Sequence, residues 1–141
     1  MTFTDCTPAT VSETYTNYYD NNYVPLGGTS GSGDYGVYLT PPSIPVSVAV
    51  GDTGTIGTEN YYTDSTKTTP RGSVVETFVV EPDSADTAML NVMSKDYDAA
   101  GVLHQTAQTR YRISRSGALT LTSTDILVTG SPGLHLVLTY R

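Results

Sequence analysis

Apolar and polar residues alternate through much of the second half of the chain, with the period of two that is typical of half-buried β-strands. Residues 102–114 show this alternation most clearly. Leu103, Ala107, Tyr111 and Ile113 share one parity, and polar side chains take the other. One face of this strand is therefore predicted to be buried and the other to be wet.

Two tight turns flank this strand and share one pattern. Residues 97–103 and 113–119 superimpose at an offset of 16 as apolar–x–x–x–Gly–x–Leu. Gly101 and Gly117 stand where a hairpin loop of three to five residues needs a left-handed backbone conformation. Two copies are too few for a repeat array, so the pattern predicts consecutive antiparallel strands joined by one type of hairpin.

The other predicted strands are shorter or less regular. Residues 72–81 are apolar on both parities, which favours a central strand covered on both faces. Gly54 and Gly57 predict a bulge or a bend in the strand 53–64. Further strands are predicted at residues 35–39, 46–50, 87–95, 126–128 and 134–140, turns at 96–101, 114–117 and 130–133, and marginal helices at 10–19 and 84–90. The sequence therefore predicts an all-β fold, an antiparallel meander of about eight or nine strands that forms a barrel or a strongly curved sandwich.

Charge divides the chain into two parts. Residues 1–66 contain seven acids and no base, whereas residues 67–141 contain seven of each, so the first part carries the whole net charge of −7. The missing basic patch argues against binding to nucleic acid or to anionic lipid head groups. No apolar run reaches the 18 residues of a membrane span. We expect residues 1–34 to form an acidic arm rich in Tyr, Gly and Ser, and residues 35–141 to form an antiparallel β domain.

Tyrosine and arginine supply the candidate interaction residues. The chain has 11 Tyr and no Trp, and exposed tyrosines bury much area at low entropic cost in interfaces and sugar contacts. The three arginines near residue 112 form a basic cluster in an otherwise acidic molecule. They are either a solvated strand face paired with nearby acids or a patch that receives the N-terminal region of another copy. The predicted interaction residues are Tyr15, Tyr18, Tyr19, Tyr23, Arg110, Arg112 and Arg115.

Motifs for catalysis and metal binding are weak. His104 and His135 are the only histidines, and both are predicted at solvent or rim positions, away from any Gly-x-Ser-x-Gly motif. Two histidines and the single Cys6 are too few for a zinc site. Asp96-x-Asp98 lacks the glutamate that closes a calcium loop. We therefore expect no catalytic residue, no metal, no cofactor and no enzymatic activity.

The segment Tyr97-Asp98, followed by Gly101 and Leu103, resembles a single unit of the YD-type hairpins found in large bacterial secreted proteins. More broadly, residues 46–122 resemble small exported or lipoprotein-like β-meander domains of unknown function in bacteria. The resemblance implies a β-meander in the extracytoplasmic space, although no signal peptide is visible at the start of the chain. It implies no functional residue.

Two functions are compatible with these features. The first is an extracytoplasmic structural or interaction protein, a self-assembling surface or filament subunit whose N-terminal arm adds as a strand to a neighbour's sheet edge. The alternative is a ligand-binding barrel or half-barrel for a lipid-like or aromatic small molecule, with Met89 and Met93 as adaptable lining. A hydrolase would require a cleft with paired, oppositely perturbed carboxylates.

Overall fold

The computed structural model describes residues 14–129 and 133–140, where all regular structure is β-strand. The nine strands are β1 Tyr15–Tyr19, β2 Pro25–Ser30, β3 Tyr35–Tyr38, β4 Thr53–Tyr62, β5 Pro70–Pro82, β6 Thr87–Asp98, β7 Leu103–Ser114, β8 Leu119–Val128 and β9 Leu134–Thr139. Each strand pairs antiparallel with its neighbours along the chain, in one sheet of order β1 to β9. The predicted all-β antiparallel meander of eight or nine strands is confirmed.

The sheet is open rather than closed. Within the described residues, strand pairs form only between consecutive strands, so β1 and β9 are its two edges. The predicted barrel is therefore not formed, since closure would require the first and last strands to pair. Residues 14–34, which belong to the predicted arm, form β1 and β2 and join the sheet through β3.

Four turns of the sheet have the same hairpin geometry. In residues 20–24, 30–34, 98–102 and 114–118, the first N–H donates to the fifth C=O, and the fourth N–H donates to the first C=O. The side chain of the first residue, an Asp or a Ser, also accepts a hydrogen bond from the fifth N–H. The fourth residue has a positive φ and is glycine in three turns and Tyr23 in the other. The two predicted copies of this hairpin are confirmed, and the sheet contains two more.

Five strand positions carry an extra residue that has no partner in the ladder. These residues are Leu26, Ile56, Arg71, His104 and Thr122. Such bulges bend a strand and increase its twist, so they curve the sheet. The bulge at Ile56 confirms the bend predicted from the neighbouring glycines. Because Thr122 is an extra residue, the face of β8 that holds odd-numbered residues before it holds even-numbered residues after it. This change explains why residues 123–125 interrupt the sequence pattern.

Few side chains of the sheet are deeply buried, because no second layer covers it in the described residues. The buried apolar side chains of the strands are Phe78, with 8% of its surface exposed, and Val80, with 2%. Asn91 of β6 is the buried polar residue, at 3%. The middle strand β5 contributes both apolar residues, and its other apolar side chains are half-buried on both faces. The core is therefore centred on β5 and β6.

Residues 46–50 lie in the loop 39–52 between β3 and β4, so the strand predicted there is wrong. The prolines of residues 41–45 lack the N–H groups that a ladder needs. The marginal helix predictions at 10–19 and 84–90 are also wrong where they are described, because β1 and β6 occupy those segments. Residues 10–13 lie outside the described residues, as does most of the turn predicted at 130–133.

Candidate functional site

A groove with a volume of about 1320 Å³ runs across one face of the sheet. Residues that pair directly in neighbouring strands share a face, and the register therefore identifies the floor of this groove. Phe78 pairs with Val92, and Val80 pairs with Leu90, which in turn pairs with Tyr111. We call this surface the groove face. Its centre is apolar and aromatic.

The loop 39–52 forms one wall of the groove. The Ser43 N–H donates to the Ile56 C=O at 2.6 Å, and the Gly51 N–H donates to the Val80 C=O at 2.8 Å, so both halves of the loop are tied to the sheet. The loop residues that line the groove are Ile44, Pro45, Val46, Ser47, Val48 and Val50. Most of these apolar side chains are exposed. The groove is therefore open to solvent along an apolar wall.

The carboxylate of Glu76 lies on the floor of the groove, beside the apolar centre. Glu76 lies two residues before Phe78 on the groove face and pairs with Ser94 of β6. The Tyr38 hydroxyl donates a hydrogen bond to Glu76 Oε2 at 2.8 Å. Tyr38 lies close over Gly57, where a Cβ atom would be 3.3 Å from Tyr38 Cε1. Tyr38 and Glu76 thus form a polar end of the groove.

A second tyrosine–glutamate pair adjoins the first. The Tyr61 hydroxyl donates to Glu59 Oε2 at 2.6 Å, and both side chains lie over Gly36, where any side chain would collide with the Glu59 carboxylate. Partial burial raises the pKa of Glu59, against the effect of the Tyr61 hydrogen bond and with that of the nearby Glu76 charge. Burial, followed by the bonded carboxylate, raises the pKa of the Tyr38 and Tyr61 phenols above the usual range. Both tyrosines therefore stay protonated as hydrogen-bond donors.

A smaller pocket of about 110 Å³ lies beside the second pair, among β1 to β4. Its lining residues are Tyr15, Asn17, Gly28, Thr29, Ser30, Asp34, Glu59 and Tyr61. The Arg71 guanidinium donates to Asp34 Oδ1 at 3.0 Å. An arginine therefore already compensates the Asp34 carboxylate of this polar pocket.

The four predicted interaction tyrosines are exposed in the N-terminal part of the sheet. Tyr15, Tyr18 and Tyr19 lie in β1, and Tyr23 lies in the following turn with 85% of its surface exposed. The Tyr18 hydroxyl is hydrogen-bonded to the Thr29 hydroxyl at 2.9 Å. Tyr15 lines the smaller pocket, whereas Tyr19 lines the groove. The four tyrosines therefore do not form one cluster.

The three predicted interaction arginines each face an acid of the same chain. The pairs are Arg110 with Glu81 at 3.9 Å, Arg112 with Asp83 at 2.8 Å, and Arg115 with Asp86 at 3.3 Å. Arg115 also donates to the Ala85 C=O at 2.9 Å and lines the groove. Arg110 and Arg112 lie on the opposite face of the sheet. Of the seven predicted residues, Tyr19 and Arg115 line the groove, at separate places in the sheet.

Both histidines are exposed, which confirms their predicted solvent positions. His135 Nε2 lies 2.8 Å from Asp125 Oδ1 on the face opposite the groove. His104 is the extra residue of the bulge in β7. In residues 14–129 and 133–140, no group of three or more His, Cys, Asp and Glu side chains is arranged to hold a metal ion. The same residues include no helix with the length and hydrophobicity of a membrane span.

Met89 and Met93 lie on the face opposite the groove, because they pair with Glu81 and Thr77 of β5. The prediction that they line a ligand cavity is therefore wrong. The residues of β6 that line the groove are instead Leu90 and its even-numbered neighbours Ala88 and Val92.

Sequence reasoning misses the polar end of the groove, although one signal for it is present. Glu76 shares the parity of Val74, Phe78 and Val80, so it is a charged residue on the apolar side of a central strand. A charge at such a position costs desolvation energy unless a partner compensates it. The partner, Tyr38, lies 38 positions earlier in the chain, and only the folded sheet brings the two together.

Comparison of the chain with protein-family models, with curated proteins and with solved structures finds no match to any of them. The resemblance to YD-type hairpins and to exported β-meander domains therefore stays a prediction, and the groove has to be interpreted from its own geometry.

Proposed function

We propose that this chain is a non-enzymatic binding module whose groove holds an elongated ligand with an apolar chain. The observation that supports this proposal most directly is the groove of about 1320 Å³ on one face of an open sheet. Sites for small molecules usually measure about 300–1,000 Å³ and combine an apolar lining with few polar groups. This groove has that character and is long enough for an extended molecule.

The exposed apolar wall supports the same proposal. Ile44, Val46 and Val50 of the loop 39–52 all point apolar side chains at solvent, across from the floor made by β5 to β8. A contiguous apolar surface of this kind is unfavourable in water and marks a binding site. A ligand chain between wall and floor would remove both surfaces from water at about 25 cal/mol per Å².

The test is the binding of Nile red, a neutral apolar dye that fluoresces when it leaves water, to two matched double variants. Ile44→Asp with Val46→Asp charges the groove wall. Leu127→Asp with Val137→Asp makes the same change at two exposed positions on the opposite face. We expect the groove variant to lose affinity by about tenfold or more, because each side chain contributes on the order of 1–2 kcal/mol. The control variant should bind Nile red with an affinity within about twofold of that of the unmodified protein. Equal losses in both variants, or a dye that does not bind the unmodified protein, would contradict groove binding.

A second candidate is the self-assembling structural protein of the extracytoplasmic space. Two observations favour it. The charged fraction is low, at 15%, and within residues 14–129 and 133–140 the strands β1 and β9 each pair with only one other strand of the sheet. Open edges present N–H and C=O groups that a neighbour's strand can pair with. Because residues 14–30 already pair within their own chain, the contact would join edge to edge, with β1 of one copy against β9 of the next.

Light scattering over about a hundredfold range of protein concentration tests this candidate, since edge pairing follows mass action. We expect the mean mass to rise with concentration and the rise to disappear in Thr16→Lys with Tyr18→Lys, because edge lysines oppose strand pairing. A mass that stays monomeric across the range would contradict self-assembly and leave groove binding untouched.

A further inference from the structure

We infer that the groove selects amphiphiles with a cationic head, such as an alkylammonium, over anionic ones. The inference rests on the proposed function and adds the sign of the ligand's charge. Its starting point is Glu76, a carboxylate that shares the groove floor with Phe78 and Val92. An ammonium head beside Glu76 would leave the attached hydrocarbon chain lying on these apolar side chains.

The charges that line the groove are unevenly placed. In residues 14–129 and 133–140 they are Glu76, Asp86 and Arg115. Arg115 and Asp86 lie 3.3 Å apart and compensate each other, so the lining keeps the Glu76 charge. Glu59 stands close enough to Glu76 for the two charges to interact. The polar end of the groove is therefore negative.

Among the lining residues that the structure describes, the one cation, Arg115, is too far away to reverse this sign. Glu76 is in the row of the sheet that includes Ser94 and Ala107, and Ile113 lies six positions further along β7. At about 3.3 Å per residue, this is a distance of about 20 Å along the groove, and Arg115 lies beyond it. Charges separated by more than about 8–10 Å are largely screened at physiological salt.

The hydrogen bond from Tyr38 leaves Glu76 able to bind a cation. The hydroxyl contacts Oε2, and an ionised carboxylate has lone pairs on both oxygens. Tyr38 also lines the groove, and an aromatic ring attracts a cation that lies over its face. An anionic head would instead meet an unfavourable like charge, and this repulsion is what makes the site selective.

Three dodecyl amphiphiles that differ in head charge provide the test. Dodecyltrimethylammonium, dodecyl maltoside and dodecyl sulfate are each used below micelle formation to displace Nile red from the intact chain. We expect the cation to displace the dye at a concentration about tenfold lower than the anion, with the neutral maltoside between them. Because the whole molecule is acidic, Glu81→Gln provides the matched control. It makes the same charge change on the opposite face.

Glu76→Gln should lower the affinity for dodecyltrimethylammonium by about tenfold and change the affinity for dodecyl maltoside by less than about twofold. Glu81→Gln should change neither affinity. The glutamine keeps an oxygen that accepts the Tyr38 bond, and circular dichroism verifies the fold. Charge selection is overturned if the cation and the anion displace the dye equally, or if the two variants have equal effects. In that case, binding of the dye and of dodecyl maltoside still supports the groove as a binding site. If neither the dye nor any amphiphile binds, the proposed function fails and the inference fails with it.

Discussion

The strands β1–β3 and the strands β5–β8 belong to one sheet and use the same hairpin, yet they differ in nearly every other respect. The first group has strands of 4 to 6 residues, and β1 is exposed along its whole length. The second group has strands of 10 to 13 residues and holds the buried Phe78, Val80 and Asn91. The type of turn therefore does not determine whether the strands of this meander are long and well packed or short and exposed.

The difference comes from what the strands carry between their turns. In β2 and β3, glycines at residues 27, 28 and 36 supply no side chain to pack, and glycine in a strand interior weakens it. In the interiors of β5 and β6, β-branched and aromatic side chains such as Val74, Phe78 and Val92 supply the packing surface. The second group thus supplies the stability and the apolar floor of the groove. The first supplies Tyr38, whose bond to Glu76 completes the polar end.

The largest effect that separates the two regions is expected at Phe78. Phe78→Ala should lower the free energy of unfolding by about 3 kcal/mol, because it removes the larger of the two buried apolar side chains of the floor. Leu26→Ala, at an exposed bulge residue of β2, should cost less than about 1 kcal/mol. Urea denaturation followed by circular dichroism measures both. Equal losses would mean that the two regions share the stability of the sheet.

A smaller effect compares the same turn position in the two regions. Gly101 has a φ of 79°, and Tyr23 occupies the equivalent position with a φ of 62°. Gly101→Ala should destabilise by about 1 kcal/mol and Tyr23→Gly should stabilise by a similar amount, because a left-handed conformation costs a non-glycine residue about 1–2 kcal/mol. Thermal unfolding of both variants provides the measurement. A loss of stability in Tyr23→Gly would show that the exposed ring makes contacts that outweigh its backbone strain.

The sequence predicts the second region better than the first, and the hairpin explains why. Gly101 and Gly117 mark the turn where the strands between them alternate cleanly. At residues 20–24 the left-handed position holds Tyr23, and at 30–34 several glycines compete for it, so neither copy is visible as a pattern. The common signal is the Asp or Ser whose side chain bonds the fifth N–H, and many surface residues of those types make no such bond.

The limits of the alternating apolar–polar pattern account for the remaining wrong predictions. An alternating pattern shows that one side of a segment meets apolar surface, and this holds equally for a strand and for a loop lying on a groove. Residues 46–50 are such a loop, and prolines at residues 41–45 were the sign that no ladder forms there. Bulges such as Thr122 reverse parity within a strand. Neither the open edges nor the meeting of Tyr38 with Glu76 follows from local pattern, because both depend on the order of distant strands.

The pH dependence of stability should differ in sign between Glu59 of β4 and Asp83 of the loop after β5. Burial raises the folded pKa of Glu59, so its contribution becomes unfavourable as pH rises above about 4.3, the ordinary value for glutamate. Glu59→Gln should therefore gain stability relative to the unmodified protein between pH 4 and neutrality, while the glutamine oxygen still accepts the Tyr61 hydrogen bond. Unfolding midpoints in urea across this pH range measure the gain. A constant difference at all pH values would contradict a raised pKa.

Asp83, in the loop after β5, provides the opposite case. Hydrogen bonds from Thr87 and then Arg112 hold the pKa of Asp83 below its usual range. A depressed pKa stabilises the fold above about pH 3.9, and this contribution is lost as pH falls through the lower folded value. Asp83→Asn should therefore lose stability relative to the unmodified protein at neutral pH and match it in acid. A gain in stability at neutral pH would contradict the lowered pKa of Asp83.

The smallest effect is expected at the arginines, and it separates two interpretations of them. Arg110 lies 3.9 Å from Glu81, with both side chains well exposed, and such surface pairs contribute about 0–1 kcal/mol. Arg110→Gln should therefore change the free energy of unfolding by less than about 0.5 kcal/mol. If this cluster instead receives the acidic first part of another copy, the same substitution should weaken association measured by light scattering. A change in association without a change in the free energy of unfolding would mean that the arginines contact the acidic first part of another copy. No change in either quantity would mean that they form a solvated strand face.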